Sequence, residues 1–412
     1  MHHLIIGAGP AGVRAAEMLR RLDPDCEITL IDGEGEAPYS RMAIPYLLEG
    51  KIDEQGTWIH RPLDFYSENR IALVRGRAET LDVAEKTVHL KDGTELAYDR
   101  LLVCTGARPI KPPVPGLVGP RVRHCWTLDD ARAIMEHAHE GADVVLMGAG
   151  FIGCIILESL IRRGVNLTVV EVEDRMVPRM LDEVAGTMLK QWTERAGARV
   201  LTSTAVEEVR ETGEKLEVKV SNGETLPADL LVVAAGVTSN IEFMEGTGVE
   251  KRAGVIVNAR METSLPDVWA AGDCAEGCDF STGDLNTLAI QPVAVEQAVV
   301  AAKNMAGGNA EYHCALPMNI LDTAGLITTS FGRHEGIGGA SAVLHNPQEW
   351  RYIRLEFDED RLVGAQTAGH VNMVGCIRGL IQSRIPLRGW KEKLLKHPER
   401  VAEAYVDLAR EA

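Results

Sequence analysis

Short, unbroken apolar runs, each leading through a glycine-rich turn into an amphipathic stretch, recur along this chain. The first, His3–Ile6, enters Gly7-Ala8-Gly9-Pro10-Ala11-Gly12 and continues as Val13–Arg20, whose spacing is helical; Thr29–Ile31 follows as a strand ending at Asp32. The second, Val144–Met147, enters Gly148-Ala149-Gly150-Phe151-Ile152-Gly153, continues as the helix Ile155–Arg163 and reaches the strand Leu167–Val170, which ends at Glu171. Apolar runs of this length between turn residues read as strands buried on both faces, as in a parallel sheet. Towards the C-terminus, Trp350–Phe357 and Leu362–Thr367 flank the polar turn Asp358-Glu359-Asp360 and predict a hairpin, with helices over Met373–Ile381 and 399–410. Alternating strands and helices predict an α/β fold.

The two glycine turns lie about 140 residues apart and carry the same chemistry. In the first, Gly7 permits the tight turn, Gly9 lets backbone approach a pyrophosphate, and Gly12 lets helix and strand pack closely. Backbone N–H groups at the helix start then hold the phosphates. Asp32, 25 residues past Gly7, is placed to accept from a ribose hydroxyl. Gly148, Gly150 and Gly153 repeat the device, and Glu171 follows Gly148 by 23 residues. A carboxylate there binds the adenosine ribose of NADH and repels the 2′-phosphate of NADPH, with nearby Arg175 softening the choice. The bland reading of each motif is a chance glycine turn, and the ordered succession of strand, turn, helix, strand and acid argues against it. Two dinucleotide sites in one chain suggest a relay, with flavin and nicotinamide the natural pair.

With 412 residues there is room for two or three domains. A net charge of −17 argues against a general nucleic-acid or anionic-membrane binder. No signal peptide is evident, and no apolar run approaches membrane-spanning length. The eight cysteines form no CxxC and no metal-type spacing, so no metal site is expected and a reducing cytoplasm suits them.

Five ordered motifs carry a resemblance to the pyridine nucleotide–disulfide oxidoreductase superfamily, in particular its branch of rubredoxin and ferredoxin reductases, NADH oxidases and coenzyme A disulfide reductases. They are Gly7–Gly12 with Asp32; Leu101-Leu102-Val103-Cys104-Thr105-Gly106-Ala107-Arg108-Pro109; Gly148–Gly153 with Glu171; Ala234-Ala235-Gly236-Val237-Thr238-Ser239-Asn240; and Thr263 through Asp273. The resemblance implies a glutathione reductase-like fold: two Rossmann-like dinucleotide-binding domains and a C-terminal α+β interface domain. Residues 1–110 and 240–310 would form a discontinuous FAD domain, 111–239 an inserted NAD domain, and 311–412 a domain that often mediates dimerisation. FAD would be held by Gly7, Gly9, Pro10, Ala11, Gly12, Asp32, Thr105, Gly106, Arg108, Gly272 and Asp273, with Arg41 and Pro45 beside its ring and Leu288–Asn304 a helix passing near it. NADH would be held by Gly148, Gly150, Phe151, Ile152, Gly153, Glu171 and Gly236.

The sequence departs from that pattern where activity is decided. Relatives with a single active cysteine carry it in a Cys-Gly-x-Pro-Tyr segment, whereas this chain has Met42-Ala43-Ile44-Pro45-Tyr46. Methionine forms no thiolate, so disulfide reduction by that route is excluded. The Lys/Glu pair of the ferredoxin reductase-like relatives falls at Tyr46 and Ile155, leaving Tyr46, Glu158 and His370 as weak catalytic candidates. For Glu158 a surface or packing role is the plainer reading, and for His370 a hydrogen-bonded structural one. Cys274 and Cys278 stand close after Asp273, and a dithiol role for them is set against simple packing, which is preferred. Cys104, Cys154 and Cys376 read as small core residues.

The expectation is an FAD-containing oxidoreductase that takes hydride from NADH, preferred over NADPH, and passes electrons to an acceptor. That acceptor is a rubredoxin- or ferredoxin-type iron–sulfur protein or a small oxidant. The alternatives are a flavin subunit of a larger complex oxidising a substrate other than NADH, and an FAD-containing assembly protein without catalysis. A cytoplasmic homodimer is expected. The arginines and lysines of the C-terminal region read either as a docking face or, preferably, as a solvated dimer rim.

Overall fold

The structure, a computed structural model, describes residues 1–411. The chain divides into two compact units, one of residues 1–47, 52–108 and 237–315, the other of 48–51, 109–236 and 316–412.

In the first unit, the strand His2–Ile6 pairs in parallel with Glu27–Asp32 on one side and Arg100–Val103 on the other. Ile71–Arg75 and Val268–Ala270 add the two outer strands, also parallel. Leu4, Ile5, Leu30, Leu101, Leu102 and Val103 are all inaccessible to solvent, as strands covered on both faces must be. The helix Pro10–Leu22 starts three residues earlier than the apolar pattern indicates. Its first residue is proline, which is tolerated there because that N–H has no helical partner. Gln291–Met305 forms the helix implied for Leu288–Asn304, beginning at a Gln-Pro pair.

The second unit repeats the plan. Asp143–Met147 is central, between Asn166–Val170 and Leu230–Val233, with Arg199–Leu201 and Val122–His124 outside, and every pairing is parallel. In the first sheet the first strand lies between the second and the fourth, and in the second sheet the second strand, Asp143–Met147, lies between the third and the fifth, so in each the chain reverses its direction of travel beside that strand. Ligands of open α/β sheets bind at the carboxyl end of such a switch point. A three-stranded antiparallel sheet intervenes between the third and fourth strands of the first unit, over Ala78–Ala97, and between the fourth and fifth of the second, over Val206–Ala228.

The C-terminal part of the second unit is a five-stranded antiparallel sheet packed with helices. The expected hairpin is there, as Arg351–Asp358 paired with Arg361–Ala368. Helices Val374–Ser383 and Val401–Glu411 match the two expected, and Gly389–Lys396 adds one that the sequence pattern did not indicate. Asp182 ties this sheet to the helix it caps within the same unit. Its carboxylate accepts from the Ala185 N–H at 3.0 Å, from the Tyr352 hydroxyl, and from Arg354 at 3.1 Å. The Gln366 side chain accepts from the Asp182 N–H at 2.8 Å.

One expectation is corrected here. Cys278 is disulfide-bonded, and its partner is Cys314, not Cys274. Cys274 is inaccessible to solvent, and its thiol donates to the carbonyls of Val103 and Ala271. Cys104 and Cys154 are buried as expected, whereas Cys376 is only half-buried.

Candidate functional site

Each unit carries one cradle at the carboxyl end of its parallel sheet. In the first unit, Gly7 has φ +114°, and a Cβ there would lie 2.1 Å from the Cys104 carbonyl oxygen. A Cβ on Gly12 would lie 1.9 Å from the Gly7 carbonyl oxygen, so helix and turn are in backbone contact. Gly9 is the opposite case: a Cβ there would meet nothing within 4 Å. It caps the helix Pro10–Leu22 without any side-chain hydrogen bond. Open space beside Gly9 thus lies at the positive end of a helix whose first N–H groups have no helical acceptor, an arrangement suited to phosphate. The FAD pyrophosphate implied by the sequence fits this cradle.

Asp32 sits where the second strand ends, and its carboxylate accepts from the N–H groups of Glu34 at 3.1 Å and Gly35 at 2.7 Å. These bonds orient the acid and leave further lone pairs for a ribose. Beside it, Glu34 pairs with Arg41 and accepts from the Tyr39 hydroxyl at 2.6 Å. The Ser40 hydroxyl donates to Gln291, the first residue of its helix, at 2.7 Å, joining the loop that holds Arg41 and Pro45 to that helix. Asp273 follows Gly272, whose N–H donates to the buried Gln297 side chain at 2.9 Å. Burial pushes the Asp273 carboxyl above the ordinary carboxylate range, and the charge of Arg41 opposes that rise. Thr105 donates to the Asn240 carbonyl at 2.7 Å, and the Gly106 carbonyl accepts from the Asn240 N–H at 2.9 Å. Arg108 is occupied with the Ser239 carbonyl, Asn240 and Glu242. Its guanidinium thus holds the 239–242 segment in place.

In the second unit, a Cβ on Gly148 would lie 2.5 Å from the Ala234 carbonyl oxygen, and one on Gly153 would lie 2.1 Å from the Gly148 carbonyl oxygen. Gly150 again meets nothing within 4 Å and caps the helix Phe151–Arg162 with no side-chain bond. Phe151 and Ile152 are half-buried on its first turn. Glu171 is 6% exposed and accepts from the Ala149 N–H at 2.5 Å and the Glu173 N–H at 2.9 Å. Each carboxylate oxygen keeps a second lone pair, able to accept from the hydroxyl of a ligand. Arg175 is engaged by Asp174 and the Leu181 carbonyl. Gly236 has φ +101°, and its carbonyl accepts from the Ile110 N–H at 2.9 Å.

The weak catalytic candidates fall outside these cradles or are otherwise engaged. Glu158 pairs with Arg162 at 2.6 Å, one helical turn on, and Arg162 also approaches Glu49 at 3.4 Å. Ile155, at the position of the family's glutamate, is half-buried. Tyr46 is 52% exposed and Met42 51%. Burial, aided by Arg351, lowers the His370 pKa. Sequence reasoning missed Glu34, Ser40, Gln291, Gln297 and Asn240, which position the first cradle. Asn240 lay inside a quoted motif and Gln291 and Gln297 inside the implied helix Leu288–Asn304; the pairings of Ser40 with Gln291 and of Gln297 with Gly272 span 251 and 25 residues and have no local signal, whereas Glu34 pairs locally, with Tyr39 and Arg41.

Residues 1–304 match the family described as Pyridine nucleotide-disulphide oxidoreductase. The chain is 31% identical over 401 residues to an NADH-dependent phenylglyoxylate dehydrogenase subunit epsilon of Aromatoleum evansii, covering 96% of this chain and 95% of that one. It is 33% identical over 398 residues to an NADH oxidase of Methanocaldococcus jannaschii, covering 90% and 88%. The crystal structure of an NADH:rubredoxin oxidoreductase from Clostridium acetobutylicum superposes with a TM-score of 0.77 at 25% identity, covering 94% of this chain and 96% of that one.

Proposed function

This chain belongs to the pyridine nucleotide-disulphide oxidoreductase family, and on that premise we propose that it carries electrons from NADH through FAD to a small iron–sulfur protein of the rubredoxin or ferredoxin type. It is an oxidoreductase with FAD and NADH as cofactors. Bound FAD supplies a centre that takes up a hydride and releases electrons singly or in pairs.

The chain's own residues bind and orient. The Ala11 and Gly12 N–H groups hold the FAD pyrophosphate, Asp32 holds a ribose, and Asp273 with Arg41 sets the charge beside the flavin chain. The residues around Gly150 hold the NADH pyrophosphate and Glu171 its adenosine ribose. These assignments rest on the two cradles and on the family pattern at those positions. The domain roles follow: residues 1–110 with 240–310 bind FAD, 111–239 bind NADH, and 311–412 form a dimer interface. Methionine at position 42 excludes the thiol route of the relatives that have a single active cysteine there.

The single observation that carries the reading is the presence of two open cradles, at Gly9 and Gly150, each ended by its own carboxylate. Among the described residues no helix is long and apolar enough to cross a membrane; the cytoplasmic homodimer is proposed on the resemblance and the cysteine pattern alone. A second reading, a flavin subunit within a larger assembly, is favoured by the similarity to a dehydrogenase subunit over nearly the whole chain.

Anaerobic titration with NADH, and in parallel NADPH, tests the proposal. Stoichiometric bleaching by NADH, followed by rapid reoxidation on adding oxidised rubredoxin or ferredoxin, is the expected result. Bleaching with no response to either carrier, but fast reoxidation by dioxygen, replaces the carrier by a small oxidant. A bound flavin that neither nucleotide reduces overturns the reading.

A further inference from the structure

We propose that Cys278 and Cys314 form a second redox site, a thiol–disulfide pair oxidised by peroxide, reduced by a dithiol, and closed to fasten the segment that carries the helix Gln291–Met305. The two residues are 36 apart in sequence, with Cα atoms 4.6 Å from one another and their sulfurs bonded. Both are half-buried, so small oxidants and reductants can reach them. The other cysteines of that unit, Cys26, Cys104 and Cys274, are buried and unpaired. Cys274 is the obvious rival partner by sequence, but it is inaccessible, and burial pushes its thiol pKa up.

The backbone brings the sulfurs together independently of the bond. The Ala315 N–H donates to the Cys278 carbonyl at 3.0 Å, and the Phe280 N–H donates to the Ala315 carbonyl at 2.8 Å. This bridge aligns residues 278–280 with 314–315, so the reduced thiols stay positioned for reclosure. Cys314 itself has φ +52°, a left-handed conformation that L-residues with a Cβ avoid. Non-glycine residues held there concentrate at functional and switch positions. The closed ring contains Gln291 and Gln297, the contacts of that helix to Ser40 and Gly272 in the first cradle.

The chemistry balances with hydrogen peroxide as oxidant. One thiolate attacks a peroxide oxygen and the O–O bond breaks, giving a sulfenic acid and, with a proton, water. The second thiol then attacks that sulfur, and the hydroxyl leaves as a second water. Two thiols have lost two electrons and two protons. Reduction runs by thiol–disulfide exchange, in which a dithiol is oxidised to its own disulfide as the two thiols return.

The test uses the full chain with its flavin, treated with hydrogen peroxide or dithiothreitol without denaturation, then alkylated in denaturant and mapped by mass spectrometry. After peroxide the Cys278 and Cys314 peptides are expected to be linked and the other cysteines alkylated; after dithiothreitol all eight are alkylated. Hydrogen exchange in peptides containing Phe280 and Ala315 is expected to be about tenfold faster in the reduced form. Cys314→Ser should show the fast exchange under both treatments. Free Cys278 and Cys314 after peroxide, a link to Cys274, or a link that survives dithiothreitol in the folded protein overturns the redox site. Equal exchange in the two forms overturns the fastening.

Discussion

Glu171→Gln is the most informative single change in the second cradle. The substitution keeps the volume and removes the charge. In the wild type both carboxylate oxygens accept from backbone, at 2.5 Å from Ala149 and 2.9 Å from Glu173. The amide of glutamine keeps one oxygen as an acceptor and turns an NH₂ group towards the other backbone donor. One charge-assisted bond is lost, worth about 1.5–3 kcal/mol, and two donors are left facing each other in a nearly solvent-free position. The loop carrying Gly148 and Gly150 loses its anchor at the proposed NADH site, and the ribose would lose its proposed acceptor. Taking about 2–3 kcal/mol, NADH affinity should fall about 30- to 150-fold. NADPH should lose less, because the repulsion of its 2′-phosphate is removed, so the preference between the two nucleotides narrows. The assay is anaerobic stopped-flow reduction of the flavin over a range of either nucleotide, with flavin content and melting temperature as controls. An unchanged apparent Kd for NADH together with an unchanged NADH/NADPH ratio would refute the reasoning.

Further outcomes follow from the same geometry. Gly12→Ala places a Cβ 1.9 Å from the Gly7 carbonyl and should yield protein without flavin, whereas Gly153→Ala, 2.1 Å from the Gly148 carbonyl, should keep its flavin and lose the response to NADH; the visible spectrum distinguishes them. His3 is inaccessible to solvent and its pKa is lowered to about 4, chiefly by burial. The unfolded chain therefore binds the extra proton between about pH 6.5 and 4, and stability falls as the pH falls through that window, by up to about 3 kcal/mol; His3→Leu should flatten the dependence in urea titrations at pH 5 and 7.5. Asp182→Ala removes a helix cap and leaves Arg354 and Tyr352 without their shared acceptor. A loss of about 2–4 kcal/mol in chemical denaturation is expected, with flavin content unaltered. Reducing the Cys278–Cys314 link, which closes a loop of 36 residues, should lower the unfolding free energy by about 4 kcal/mol on the chain-entropy estimate.

The parts of this fold that were legible in the sequence are those fixed by local constraints. Gly7, Gly12, Gly148 and Gly153 are where a side chain would strike backbone, so their spacing records the turn and the packing of the helix behind it. Both helices begin earlier than their apolar periodicity indicates, because Gly12 and Gly153 lie inside the first helical turns, not before them. The engagement of Glu158 with Arg162 is likewise a local matter of four residues. The antiparallel sheet over Ala78–Ala97 was not legible, since its strands are only three to five residues long, whereas Lys215–Val220 alternates exposed and buried positions, a strand signal that the sequence does carry. Gly389–Lys396 escaped because it has no side-chain cap and a largely charged sequence. Cys278 and Cys314 meet only through the tertiary fold, and no spacing rule relates them.

The two parallel sheets differ in when the ribosome can complete them. All five strands of the second, from Val122–His124 to Leu230–Val233, emerge as one continuous stretch. The first sheet has four strands made by Val103, but its outer strand Val268–Ala270 arrives about 165 residues later. Until then Arg100–Val103 is an unprotected edge, with apolar side chains and unpaired backbone groups of the kind that nascent chains aggregate through. The later sheet can thus close first, and the N-terminal one waits on translation. Of the two parallel sheets, the one whose first strand is the first to leave the exit tunnel is the last to be completed.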